Sequence, residues 1–263
     1  MSTPIIPPAI AGQVKLTCNT IMRFLSTHVR AIHLYGSAAH GNMAPQSDID
    51  LFVTIGNKLT DVTRHALMLE LLNHSAPPKS DAAKRALEVT VVSEKEIMPW
   101  RSPAIREMQF GEWLRNDLAA GIIEPELADI DLGLLLTQIR EHSIPVFGPP
   151  AETFFEPVPH EDVRVALAHT LGMWQTPEDW AGDEQNIVLA IARIWYTART
   201  GKITAKELAA GWLLTRLPDE HRSVLREAVN SYLTGQSDNL STRPEELGAF
   251  IRYAQSHITY DAF

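Results

Sequence analysis

The chain has 263 residues, 45% hydrophobic and 21% charged, which suits a globular protein with room for one large core or two smaller ones. Lys and Arg number 23 against 32 Asp and Glu, a formal net charge of -9. A protein that holds a long phosphate backbone carries a basic surplus, so a nucleic-acid partner is disfavoured and a small cationic ligand suits the charge better. A single cysteine, Cys18, excludes an internal disulfide, no Cys/His zinc spacing exists, and its apolar neighbours make it a core thiol. No apolar run is long enough to span a membrane. Residues 1–12 contain three prolines and no Lys or Arg, which does not read as a signal peptide, so a cytoplasmic location is expected.

In chain order, Gln13 to Val29 predicts a helix. Ala31 to Tyr35 is a short apolar run ending at Gly36 and predicts a buried strand. Gly36-Ser37 opens a turn, Ser37 to His40 begins a helix, and Asn42 to Gln46 is a loop. Asp48 to Ile55 predicts a second strand, Thr60 to Asn73 a helix, His74 to Lys79 a loop. Leu87 to Val92, rich in β-branched residues, predicts a third strand. Glu107 to Leu118 and Asp131 to His142 read as helices. Pro145 to Pro159, with five prolines, reads as a linker. Beyond it come five helical stretches, His160–Trp174, Glu184–Thr200, Ala205–Leu217, Glu220–Leu233 and Arg243–His257. Strands confined to the first half predict an α+β chain, an α/β domain with a small mixed sheet (1–157) followed by an all-α bundle (158–263).

Three features of the first half belong together. Asp48 and Asp50 flank Ile49, so strand alternation turns both carboxylates to one face while Ile49, Leu51 and Val53 face the core. Two like charges there repel unless a divalent cation bridges them. If the second and third strands are neighbours, Glu88 joins them in a triad suited to magnesium-assisted phosphoryl or nucleotidyl transfer. Gly36-Ser37, at the end of the first strand, suits a phosphate: glycine admits close backbone approach, Ser37 offers a hydroxyl and an N–H, and Ser47 adds a donor. An isolated Asp-x-Asp usually marks a turn or solvated edge. The combination, in this order, is far more specific.

Leu34-Tyr35-Gly36-Ser37 followed by Ser47-Asp48-Ile49-Asp50-Leu51 resembles the signature of the polymerase-β-like nucleotidyltransferases. Arg85 to Val92, Arg106 to Arg115, Asp179 to Asn186 and Arg193 to Ala198 extend the resemblance to the bacterial streptomycin/spectinomycin adenylyltransferases, over roughly Arg30 to Leu217. The resemblance implies an enzyme that binds ATP and two magnesium ions in its N-terminal domain, with the helical domain completing the ATP and antibiotic sites. It implies that Asp48 and Asp50 hold the magnesium ions and that Glu88 is the general base for the antibiotic hydroxyl, a metal ligand, or both. It further implies triphosphate contacts for Arg193 and Lys206 and adenine stacking for Tyr232, where plain helix packing is the alternative.

Thr204-Ala205-Lys206-Glu207 fits a capping box, which places Lys206 in a first helical turn, where a cation makes sense if it faces a phosphate. The resemblance also implies antibiotic contacts at Trp113, Asp179, Asp183 and Asn186. Carboxylates pair with cationic drugs, and an indole face covers a cation or a sugar ring. The Trp113 and Asp179 positions go with streptomycin use in that family, so both streptomycin and spectinomycin are expected substrates. The alternatives are a core place for Trp113 and an N-cap for Asp183. Trp174 and Trp180 read as packing residues, and a monomer is expected. Rival readings are an enzyme that adenylylates a protein, and a nucleotide-binding regulatory module that has lost catalysis. Without a Gly-x4-Gly-Lys-Ser/Thr loop a P-loop kinase is disfavoured.

Overall fold

A computed structural model describes residues 5–41, 43–45, 47–78, 80 and 83–259. Asn42 and Gln46, read as loop, and Lys79, at the end of the next loop, lie outside the described residues. The chain divides into two compact units, Met1–Val158 and Pro159–Phe263.

Among its described residues the first unit holds six strands, β1 (Val29–Tyr35), β2 (Ile49–Ile55), β3 (Leu87–Ser93), β4 (Ala104–Phe110), β5 (Leu127–Asp129) and β6 (Ile144–Phe147). They form one sheet in the order β5-β4-β3-β2-β1-β6. Only β2 and β3 run parallel; the other pairs are antiparallel. Its helices are α1 (Pro8–Leu25), α2 (Ser37–His40), α3 (Asp61–Leu72), α4 (Glu94–Ile97), α5 (Arg115–Ala119), α6 (Leu132–Glu141) and α7 (Ala151–Phe154). A parallel pair requires a crossover, and α3 lies within it, started by the Thr60 hydroxyl accepting from Thr63 N–H at 3.2 Å.

Helix α1 carries Ile10, Val14, Cys18, Ile21 and Leu25 at helical spacing. This stripe packs with Leu67 and Leu71 of α3 over the sheet face made by Ile32, Leu34, Leu51, Val53, Val89, Val91, Met108 and Phe110. Burial pushes the Cys18 thiol up to about 12, as befits a core thiol. Strands β2 and β3 are buried along nearly their whole length. Asp50 and Glu88, the second residue of each, are half-buried exceptions.

Three sequence readings are corrected. The first helix begins five residues earlier, with proline in its first turn, and ends at Leu25, so Val29 belongs to β1. The segment read as a helix from Glu107 to Leu118 is strand β4 up to Phe110, followed by a 3-10 turn and α5. Its Arg, Glu, Met and Gln favour a helix, but pairing with β3 (Thr90 with Gln109, Val91 with Met108, Val89 with Phe110) overrides propensity.

The proline-rich stretch read as a linker is folded onto the first unit. Strand β6 pairs with β1. The imidazole of His33 donates to the Pro149 carbonyl over 3.0 Å. The Phe155 ring lies 5.4 Å from that of His33 and 6.0 Å from that of Phe52, and Arg140 donates to the carbonyls of Glu152 and Phe155. Here proline serves an edge strand and its turn, where no ladder N–H is needed.

Among its described residues the second unit holds helices and no strand: α8 (His160–Gly172), α9 (Pro177–Trp180), α10 (Glu184–Thr200), α11 (Lys206–Leu214), α12 (Asp219–Thr234) and α13 (Pro244–His257). Helix α10 buries Ile187, Val188, Leu189, Ile191, Ala192, Ile194, Thr197 and Ala198, and packs against α8, α11, α12 and α13. A helix apolar around most of its circumference is a core helix. Trp174 and Trp180 are buried packing residues. No helix among the described residues is long and apolar enough to cross a membrane.

Candidate active site

The sheet register builds a row of polar side chains. Tyr35 on β1 stands opposite Asp50 on β2, and Asp50 stands beside Glu88 on β3. Neighbouring strands lie about 4.8 Å apart, so the two carboxylates are held at close quarters by backbone pairing alone. Asp48 precedes β2 and is half-buried; the next residue is pinned by Ile49 N–H donating to the Ala86 carbonyl at 2.9 Å.

Gly36 has φ of 67° and ψ of -147°, and a Cβ there would fall 1.9 Å from Asp50 Oδ2. Glycine is therefore required twice, for the backbone conformation and for room beside the carboxylate. Ser37 is the first residue of α2. Ser47 is buried, and its Oγ accepts from Ala44 N–H at 3.0 Å, closing the turn before Asp48. Arg85 clamps the same turn by donating to the carbonyls of Ser47 at 2.7 Å and Ala44 at 3.0 Å.

Three more residues surround Glu88. Gln109 Nε2 donates to Glu88 Oε1 at 3.0 Å, Gln109 Oε1 accepts from the Thr90 hydroxyl at 2.8 Å, and the Tyr35 hydroxyl donates to Glu88 Oε1 at 3.5 Å. Burial, reinforced by the charges of Glu88 and Asp50, raises the Tyr35 phenol well above its ordinary range and keeps it protonated. Sequence reasoning missed the roles of Thr90, Gln109 and Arg85. The helical reading of 107–118 hid Gln109; Pro103 and Gly111, bracketing a seven-residue strand, were the available signals.

Among the described residues no group of three or more His, Cys, Asp or Glu side chains is gathered as a ready-made metal cage. Asp50 and Glu88 are nonetheless adjacent hard-oxygen donors with Asp48 two residues upstream. Magnesium characteristically takes one or two carboxylates and completes its shell with phosphate oxygens and water. The donor set fits that ion and offers no sulfur or imidazole for a softer one.

Trp113 is 60% exposed, which excludes a core place. Its ring lies against Gly111, where a Cβ would come within 2.1 Å of it. In the second unit, Asn186 Nδ2 donates to Asp183 Oδ1 at 2.8 Å, Lys206 Nζ donates to Asn186 Oδ1 at 3.3 Å, and Lys206 Nζ stands 5.3 Å from the Tyr232 ring centroid. These four residues thus form one chain of contacts. Arg193 lies two turns beyond Asn186 on the same face of α10 and is half-buried.

Two readings of helix ends change. Lys206 opens α11, but the residue before it is Ala205 and no side chain caps the helix, so the Thr204 capping box does not form. Asp183 occupies the N-cap position of α10 without capping it; its side chain takes the Asn186 amide instead. The capping box is at Asp179, whose Oδ2 accepts from the N–H groups of Thr176 at 2.7 Å and Gln175 at 2.9 Å and from the Thr176 hydroxyl. Those backbone bonds hold the exposed Asp179 carboxyl below its ordinary range, and it stays ionised.

Residues 19–95 match the family profile described as polymerase beta, nucleotidyltransferase, and residues 153–257 that of the aminoglycoside adenylyltransferase C-terminal domain. An aminoglycoside (3'') (9) adenylyltransferase of Klebsiella pneumoniae is 49% identical over 250 residues, 95% of each chain. A spectinomycin 9-adenylyltransferase of Staphylococcus aureus is 33% identical over 249 residues, again 95% of each. The crystal structure of spectinomycin adenyltransferase from Enterococcus faecialis with ATP and spectinomycin has a TM-score of 0.87 to this chain at 26% identity, covering 94% of this chain and 98% of that one. With a polymerase beta nucleotidyltransferase match over residues 19–95, an aminoglycoside adenylyltransferase C-terminal match over 153–257, and 49% identity to such an enzyme over 95% of each chain, the chain belongs to the aminoglycoside adenylyltransferase family.

Proposed function

We propose that this protein transfers AMP from Mg-ATP to a hydroxyl of streptomycin and of spectinomycin, releasing pyrophosphate and conferring resistance to both. The observation that carries the reading is the pairing of Asp50 with Glu88 in register, beside a glycine whose missing Cβ makes room for the Asp50 carboxylate. The drug hydroxyl attacks the α-phosphorus, the bond to the β-phosphate's bridging oxygen breaks, and the hydroxyl proton passes to Glu88.

Asp48, Asp50 and Glu88 would hold two magnesium ions. Bound magnesium supplies charge neutralisation on the phosphates and lowers the pKa of the attacking hydroxyl. An ordinary glutamate is a weak base for an alcohol, so Glu88 takes the proton as the new bond forms. Gly36, Ser37 and the turn closed by Ser47 receive the phosphates. Arg193 and Lys206 neutralise the triphosphate and Tyr232 stacks on adenine. The ionised Asp179, with Asp183 and Asn186, receives the cationic groups of the drug. The exposed indole of Trp113 offers a face to a cation or a sugar ring, and supports streptomycin as a substrate.

The test is pyrophosphate release from Mg-ATP with streptomycin, spectinomycin and a kanamycin-type control, using wild type and Glu88→Gln. Release with the first two drugs, lost in the variant, is the expected result. Release with spectinomycin alone refutes the streptomycin half. No release with any drug, while Mg-ATP binds, refutes the antibiotic reading.

A further inference from the structure

We propose that Gln109, locked by Thr90, is the residue that sets the orientation of the Glu88 carboxylate for transfer. The inference rests on the reading that Glu88 acts on the attacking hydroxyl or its metal. The amide orientation of Gln109 is dictated by chemistry. Its nitrogen faces Glu88 Oε1 at 3.0 Å, and turned over it would place a carbonyl oxygen against a carboxylate, two acceptors with no proton between them. The Thr90 hydroxyl, donating to the carbonyl end at 2.8 Å, reinforces that choice.

Thr90 and Gln109 are register partners across β3 and β4, and Glu88 lies two residues from Thr90 on the same face of β3. The sheet itself therefore fixes the whole relay. Thr90 is 1% exposed, so water does not readily replace its hydroxyl. Tyr35 approaches the same Glu88 oxygen from β1 at the longer distance of 3.5 Å, making Gln109 the closer restraint. That bond restrains rotation of the carboxylate and biases its presentation before substrates arrive.

The experiment compares Gln109→Met, which keeps the length and removes both hydrogen bonds, with Thr90→Val and Thr90→Ser. Steady-state kinetics are measured for Mg-ATP and for spectinomycin, with melting temperatures of the unliganded proteins and a metal-free crystal structure of Gln109→Met. The expected result is a kcat about ten- to a hundredfold lower in Gln109→Met, typical for loss of an outer-shell partner, with each KM within about threefold. Thr90→Val loses kcat to a lesser degree, Thr90→Ser recovers most of that loss, and Glu88 takes a different rotamer in the Gln109→Met structure. Wild-type kcat in Gln109→Met, equal activity in the two Thr90 variants, or an unmoved Glu88 would each overturn the proposal. A lower melting temperature with both KM values raised in parallel would also overturn it, marking a merely structural role. Glu88→Gln run alongside separates the two levels: wild-type kcat there refutes the role of Glu88 itself, whereas its loss together with an unaffected Gln109→Met refutes the positioning alone.

Discussion

Replacing Gly36 with alanine probes the site through a single methyl group. The residue sits at φ of 67° and ψ of -147°, a region essentially reserved for glycine, and an alanine held there costs about 1–3 kcal/mol. The added Cβ would fall 1.9 Å from Asp50 Oδ2 and 2.9 Å from its Cγ, so the carboxylate has to move. Forced overpacking of this kind costs about 1–3 kcal/mol more. The combined loss of about 4 kcal/mol corresponds to a melting temperature lower by roughly 8–16 °C for a unit of this size. Displacing a reacting group by about 1 Å also lowers turnover on the order of a hundredfold.

Gly41→Ala is the matched control. Its φ is 75° but a Cβ there meets nothing within 4 Å, so it should lose only the backbone contribution and keep turnover. Melting by circular dichroism and pyrophosphate release on the three proteins decide the matter. If Gly36→Ala and Gly41→Ala lose equal stability and both retain turnover, the crowding of Asp50 is not what requires glycine.

Arg64, 1% exposed, donates to the Glu107 carbonyl at 2.7 Å and to Glu126 at 2.8 Å; Arg64→Met should lower stability by about 2–3 kcal/mol, read from the urea midpoint. Arg23→Met, breaking a surface pair with Glu70, should change it by less than about 1 kcal/mol, and equal losses would contradict the contrast. Glu107 is fully buried, one of its oxygens has no hydrogen-bond partner, and burial raises its carboxyl above 4.5. The folded protein therefore holds this proton to higher pH than the unfolded chain, so its contribution to stability falls as pH rises from about 4.5 to the raised value and is flat beyond. Urea midpoints of Glu107→Gln relative to wild type should rise across that window, and a pH-independent difference would refute the assignment. Asn186→Ala breaks the Asp183–Asn186–Lys206 chain and should raise KM for both ATP and spectinomycin severalfold at unchanged melting temperature; a change confined to one substrate would show the two ends to be independent.

The local chemistry of the chain was legible without coordinates wherever it depended on neighbours in sequence. The apolar runs of β1, β2 and β3, the Gly36-Ser37 turn between strand and helix, the place of Asp50 on β2, and the helical periodicity of α10 and α12 all follow from spacing, whereas Asp48, read as the first residue of that strand, lies just before it. The division into a sheet-bearing unit and a helical one follows from the segregation of those patterns.

What depended on partners distant in sequence was decided only by the tertiary structure. Residues 107–110 contain good helix formers, and strand β3 alone makes them extended. The prolines between 145 and 159 read as a linker because nothing local reveals the His33 bond and the Phe155 contacts that fasten them to the sheet. Thr204 and Asp183 looked like caps by position, but neither side chain caps a helix and that of Asp183 takes the Asn186 amide, because a short polar side chain chooses among several backbone and side-chain partners that sequence does not rank. Gln109 reaches Glu88 across the sheet from twenty-one residues away. Strand register, a property of the folded backbone, brings those two together, and no one-dimensional spacing encodes it.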